Sequence, residues 1–317
     1  MHRTDTPIEV HGDLRLATAP VNWNNNDIPG WRPVVPFPEI LDRMQEAGYS
    51  ATEYDSSFGC DPAILRSAVE DRGMTWCGSY QWVDFLDTEG LDAIIRSLTP
   101  TLELLDAIGC RNLLVADALR PHRVSMAGRV PADGSASLSS DDLRRLAEGA
   151  HRLAESAAAH NIAIHYHNHV GSWIEAPHEV ETLLTHLDSA LVDVCFDTGH
   201  YAYGGGNPAD FIAHYHERIG YLHLKDVDTD AVQNARRQSL TFIEALKHHV
   251  FSPVGAGSAD IPAILDVLVS SDFDGWVVIE QDTCEGDATV TARRNLDFIR
   301  AWLQRTVESQ HTKRGPA

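Results

Sequence analysis

Short runs of apolar residues, some alternating with polar ones and some continuous, recur along the chain. Each is followed by a longer stretch whose apolar positions repeat at the helical period. The strand-like runs are 14–19, 50–54, 75–80, 112–116, 162–167, 192–197, 219–225 and 276–281. The helix-like stretches between them are 37–47, 62–72, 92–108, 140–160, 177–187, 207–215, 261–269 and 288–307. Gly48, Gly73 and Gly109 stand where a glycine can close a helix ahead of the next strand. This order predicts an α/β fold, a single closed (β/α)8 barrel over 1–310 with a flexible tail at 311–317. Such a barrel needs about 250 residues plus insertions. The competing architecture, a doubly wound open sheet, needs a Gly-rich turn after its first strand. Ala19-Pro20-Val21-Asn22-Trp23-Asn24 stands there instead, and Gly204-Gly205-Gly206 follows a much later strand. Two loops exceed what closure requires: 118–139, and 227–254 with a helix expected around 239–248. They are expected to lie over the active-site face or to form an oligomer contact.

In a barrel, the informative polar residues lie at the C-terminal ends of strands. In the fifth run the period of two puts Ala163, His165, His167 and His169 on one face and Ile162, Ile164 and Tyr166 on the other. The apolar face should meet the helices, so the histidines should look into the barrel. Asp197 ends the sixth run, His223 lies within the seventh, and Glu280 closes the apolar part of the eighth. A buried, isolated carboxylate needs a cation or a proton. A divalent metal shared by His167, Asp197, His223 and Glu280 would satisfy all four residues together. Mixed imidazole and carboxylate donors suit manganese, cobalt, zinc or iron; the expected ion is manganese or cobalt, with zinc, magnesium or iron as alternatives. The bland alternative is four unrelated strand ends with ordinary partners.

Composition narrows the partners. With 46 Asp and Glu against 25 Lys and Arg, the net charge of −21 opposes binding to nucleic acid. The 17 histidines prompt the search for metal or acid–base sites. Five cysteines without a CxxC spacing indicate neither a disulfide framework nor a thiolate zinc site. No window approaches the roughly 20 apolar residues of a membrane span, and residues 1–7 lack the features of a secretory signal. The expectation is a soluble, cytoplasmic protein, with homo-oligomerisation left open.

At these strand ends the chain resembles the xylose-isomerase-like barrel superfamily of sugar isomerases, epimerases and apurinic endonucleases, and within it the inosose dehydratase group. The resemblance covers most of the chain. It runs from Ala19-Pro20-Val21-Asn22-Trp23-Asn24-Asn25 through His167-Asn168-His169-Val170-Gly171, Phe196-Asp197-Thr198-Gly199-His200 and His223-Leu224-Lys225-Asp226-Val227. It continues through Phe251-Ser252-Pro253-Val254-Gly255-Ala256-Gly257 to Gly275-Trp276-Val277-Val278-Ile279-Glu280-Gln281-Asp282. It implies Asp197, His223 and Glu280 as metal ligands. A Glu is usual where His167 stands, whereas the inosose dehydratase group shares the His-x-His. The fourth ligand is therefore His167 or Glu175.

The departure bears on chemistry. Epimerisation in this superfamily uses two ligand carboxylates as opposed bases, and His167 removes one of them. Dehydration needs one base beside a ketone, a metal to stabilise the enolate oxygen, and an acid for the departing hydroxyl. The resemblance implies Glu280 as base or ligand and Lys225 or His200 as acid, with Trp23, Asn24, Glu53, His169 and Gln281 holding the polyol. The expected activity is water elimination from a cyclic keto-polyol such as 2-keto-myo-inositol. The alternatives are a metal-dependent ketose isomerase or epimerase and a non-enzymatic binding barrel. The net charge disfavours an endonuclease.

Overall fold

The computed structural model describes residues 10–11, 14–87 and 90–314. Eight parallel strands form the barrel: β1 Leu14–Thr18, β2 Ala51–Tyr54, β3 Thr75–Val83, β4 Asn112–Asp117, β5 Ala163–His167, β6 Val192–Asp197, β7 Ile219–Leu224 and β8 Trp276–Ile279. Each pairs with its chain neighbour. β8 returns to β1 with Ile279 opposite Thr18, and the ring closes between β1 and β2 where Thr18 faces Thr52. A two-residue strand, Val10–His11, adds to β1 in the antiparallel sense. All eight expected strands are present, within a few residues of their expected ends.

Alternation along each strand builds two cores. Ile164 and Tyr166 of β5, like Leu113 and Val115 of β4, join the large layer between strands and helices. The opposite faces fill the barrel axis with Ala17, Ala51, Cys77, Leu114, Cys195, Tyr221 and Val278. These interior side chains are mostly small, which leaves room at the C-terminal mouth for longer polar groups. Helices over Glu39–Glu46, Pro62–Glu70, Leu91–Ile108, Ser140–Ala158, Pro177–Leu184, Pro208–Tyr215, Ile261–Ser270 and Ala288–Arg314 form the outer ring. The last continues seven residues past its expected end, into the expected tail. Residues 315–317 and the N-terminal segment 1–9 lie outside the described residues. Among the described residues, no helix is long and apolar enough to cross a membrane.

The second long loop is more structured than expected. Instead of one helix near 239–248 it holds two, Thr229–Gln238 and Phe242–Lys247, flanked by a short antiparallel ribbon of Asp226–Val227 with Phe251–Ser252. The first of the two buries only Val232 and Ala235, too sparse a stripe to register as a period. It ends at Ser239 in the left-handed region, and a reciprocal capping box between Thr241 and Glu244 starts the second. Loop 118–139 carries one short helix, Pro121–Ser125.

Asn22 joins the first and last strands at the mouth. Its amide donates to Thr18 Oγ1 (2.9 Å) and to the Ile279 carbonyl (3.0 Å), and its oxygen accepts the Gln281 N–H (2.7 Å). Truncation would leave buried backbone groups unpaired, at about 1–3 kcal/mol for each group. Asn22→Ala should therefore lower the unfolding free energy in urea by about 2–3 kcal/mol with unchanged m-value. An unaltered midpoint would contradict this role.

Candidate active site

A cavity of about 260 Å³ opens at the C-terminal mouth. His167, His223 and Glu280 line it and Asp197 stands behind them, each from a different strand end. His167 Nε2 lies 3.1 Å from His223 Nδ1 and 3.4 Å from Asp197 Oδ2. His223 Nδ1 is in turn 3.1 Å from Glu280 Oε2 and 3.7 Å from Asp197 Oδ2. All four residues are at most 4% exposed. Donors held about 2.1 Å from an ion stand about 3.4 Å apart in a tetrahedron, so this spacing suits one divalent cation. Asp197 Oδ2 is buried among these nitrogens.

Backbone clamps fix these ends. Asn168 donates to the Asp197 carbonyl (3.1 Å) and accepts the Asp197 N–H (2.9 Å), locking the tips of β5 and β6 together. Asp197 Oδ1 accepts the His200 N–H (2.8 Å), capping the helical turn Thr198–Tyr203. Only Oδ2 is thereby left to face the cluster.

Lys225 supplies the balancing ammonium. Its Nζ is 2.9 Å from Glu280 Oε2, 2.9 Å from Asp282 Oδ1 and 3.1 Å from Asp197 Oδ2. Burial disfavours the Lys225 charge, but Asp197, Asp282 and Glu280 overcome it and hold the amine well above its usual range. Burial likewise opposes the Glu280 charge, and His223 and Lys225 bring that carboxyl down to about 2. At Asp282 burial prevails over Lys225 and raises the pKa to about 7. Burial lowers His167 to about 4 and keeps His169 and His200 well below the ordinary imidazole range, so these rings are neutral at pH 7.

Most of the expected site residues meet here. His167, Asp197, His223, Glu280 and Lys225 form the cluster, Glu53 contacts His223, and His169 lies on the wall. His200 stands behind Lys225, with Nε2 3.3 Å from Nζ and Nδ1 accepting the Val170 N–H, and does not line the cavity. Asn24 reaches the rim, but both ends of its amide bind the Val35 backbone. Trp23 and Gln281 are not brought to the cavity. The Trp23 indole packs in the outer core and donates to Thr289, and the Gln281 amide is held by Thr283 and Asn295. His165 lies deeper in the barrel on Asn112 Oδ1 (3.0 Å), where it serves as a core residue.

Other residues complete the cavity: Tyr80 and Trp82 on one wall, Asp27 at the rim, and Asp282 beside Lys225. Asp282 could have been found by the alternation that selects Glu280. Tyr80 and Trp82 fall at or beyond the expected end of the third strand, which continues to Val83. Tyr80 packs edge-on to His167 with ring centroids 5.2 Å apart, and Trp82 packs on His169 at 4.7 Å. The Tyr80 hydroxyl is buried without a partner.

Known proteins share this framework. The family described as "Xylose isomerase-like TIM barrel" matches residues 41–302. An inosose dehydratase of Geobacillus kaustophilus is 31% identical over 296 residues, covering 90% of this chain and 94% of its own. Among solved structures, an L-ribulose 3-epimerase superposes with a TM-score of 0.70 at 16% identity, over 95% of this chain and 98% of its own. The IOLI protein with a bound zinc atom superposes at 0.69 with 13% identity, over 92% and 98%. At such identities the superpositions speak for the fold.

Glu175 lies off the cavity wall. Its carboxylate oxygens accept the N–H groups of Gly128 (2.7 Å) and Gly171 (2.8 Å), tying loop 118–139 to the loop after β5, so in this structure it stands as a loop anchor. Burial raises its pKa to about 7 despite these two donors. A carboxyl raised in the folded state stabilises the fold below its unfolded pKa, and that contribution is lost as pH rises through the folded value. The span from 4.5 to about 7 corresponds to about 3 kcal/mol. Unfolding free energy should decline across that pH window, and Glu175→Gln should flatten the decline. Parallel pH curves for the two proteins would exclude this origin.

Proposed function

Because the chain belongs to the xylose isomerase-like TIM barrel family, we propose that it is a divalent-metal-dependent hydro-lyase removing water from a cyclic keto-polyol such as 2-keto-myo-inositol. The observation that carries this reading is the asymmetry of the cluster. The neutral imidazole of His167 stands on β5, where a second carboxylate base would serve epimerisation, and Glu280 stands just past the end of β8. The similarity to inosose dehydratase supports the same choice.

In this reading His167, Asp197, His223 and Glu280 hold the ion, manganese or cobalt first, through the four converging donors. When bound, such an ion supplies Lewis acidity to a ketone oxygen. Tyr80, Trp82 and His169 offer an aromatic wall to the ring. The Glu280 carboxylate accepts the proton from the carbon beside the ketone. Lys225, 2.9 Å from Glu280, donates a proton to the departing hydroxyl, so that the substrate loses one water and gains one carbon–carbon double bond. His200 positions Lys225 from behind.

The charge around the cavity bears on the substrate. Asp27, Glu53, Asp55, Glu280 and Asp282 line it, and Lys225, already in contact with three carboxylates, is its lysine or arginine cation among the described residues. A phosphate ester or carboxylic acid would meet net repulsion there, whereas an uncharged polyol would not.

The test uses purified protein loaded with manganese or cobalt and incubated with 2-keto-myo-inositol. The absorbance of an unsaturated diketone should grow, and it should stop on chelation. Asp197→Ala should lose the stoichiometric ion and turnover together. Solvent deuterium entering the substrate without loss of water would overturn the dehydratase reading in favour of an epimerase.

A further inference from the structure

Glu53 lines the cavity, yet one oxygen of its carboxylate is already committed to the protein. Oε1 accepts from His223 Nε2 at 2.8 Å and from the Tyr221 hydroxyl at 3.0 Å. A register shift between Thr52 and Glu53 sets this residue opposite Gly78 of β3. Gly78 matters in its own right: a Cβ there would come within 2.6 Å of the Tyr221 hydroxyl. The missing side chain makes room for Tyr221, whose hydroxyl in turn supports Glu53.

As a metal ligand His223 is a neutral imidazole, with one N–H and one lone pair. Donation from Nε2 to Glu53 therefore leaves the lone pair of His223 on Nδ1. That nitrogen is the one facing Glu280, His167 and Asp197, at 3.1, 3.1 and 3.7 Å. We propose that Glu53 is a positioning residue that presents His223 Nδ1 to the metal, backed by Tyr221 and the space at Gly78, and that it is not a substrate ligand. This rests on the reading that the cluster holds a divalent ion. A carboxylate behind a ligating imidazole fixes the tautomer and ring orientation and raises the basicity of the ligand.

The test is metal affinity, measured without substrate. Full-length protein, stripped of metal, is titrated with manganese chloride against a chromogenic chelator, and melting temperatures are recorded in parallel. Glu53→Ala should weaken manganese binding by about 10- to 100-fold. Glu53→Gln keeps an acceptor oxygen but loses the charge, and should fall between Glu53→Ala and wild type. Tyr221→Phe should weaken binding by a smaller factor. A merely structural role would lower the melting temperature and leave the affinity of the folded protein unchanged.

The proposal is overturned if Glu53→Ala binds manganese within about threefold of wild type, the more so if KM for the keto-polyol rises. Should Glu53→Ala not fold, unchanged affinity in both Glu53→Gln and Tyr221→Phe overturns it instead. Wild-type protein that binds no manganese, cobalt or zinc would remove the metal reading itself, a failure distinct from that of Glu53.

Discussion

Three carboxylates, Asp197, Glu280 and Asp282, meet the Lys225 ammonium at the mouth of the barrel with almost no solvent to share the charge. Burying such groups is costly unless each finds an opposite charge and hydrogen bonds. Much of the upper barrel meets that condition. Asn168 locks two strand tips, Asp197 Oδ1 caps a helical turn, and His200 backs the lysine. Burial works against the His223 charge as well, but its neighbours, Glu280 and Glu53 among them, hold its pKa well above the ordinary imidazole range. A site that raises both a lysine and a histidine is one in which added positive charge is welcome.

The chemistry follows from which strand ends carry carboxylates, because the barrel is shared with proteins named for different reactions. An epimerase framework superposes closely on this chain, so the fold does not choose between proton shuttling and elimination. In the proposed reading the choice lies in the partner opposite Glu280. His167 is buried and neutral, with burial lowering its pKa to about 4, and so offers a lone pair to an ion. The aromatic side chains of Tyr80, Trp82 and His169 then shape one wall of a cavity whose remaining lining is mostly polar or acidic. That combination suits a polyhydroxylated ring without charge of its own.

Much of the site was legible in the order of residues because strand alternation is a local rule. Once β5 is recognised, period two puts His167 on the barrel axis, and the same rule aims Asp197, His223 and Glu280 from their own strands. It also overreached. His165 shares the face of His167 yet lies deeper, bonded to Asn112. Gln281 and Trp23, close in sequence to strand ends, turn away toward Thr283, Asn295 and Thr289.

The sequence by itself determined the eight βα units, the closed barrel, the acidic character and the strand ends that bear metal-type donors, because each depends on near-neighbour periodicity or on counting. Only the tertiary structure decided depth, direction and partnership. It put His200 behind Lys225, bound Glu175 to two loop amides, added Asp282 and Tyr80, and set Glu53 against His223. The physical reason is distance along the chain. Glu53 and His223 are 170 residues apart, and nothing local to either could say that one would hold the other's ring.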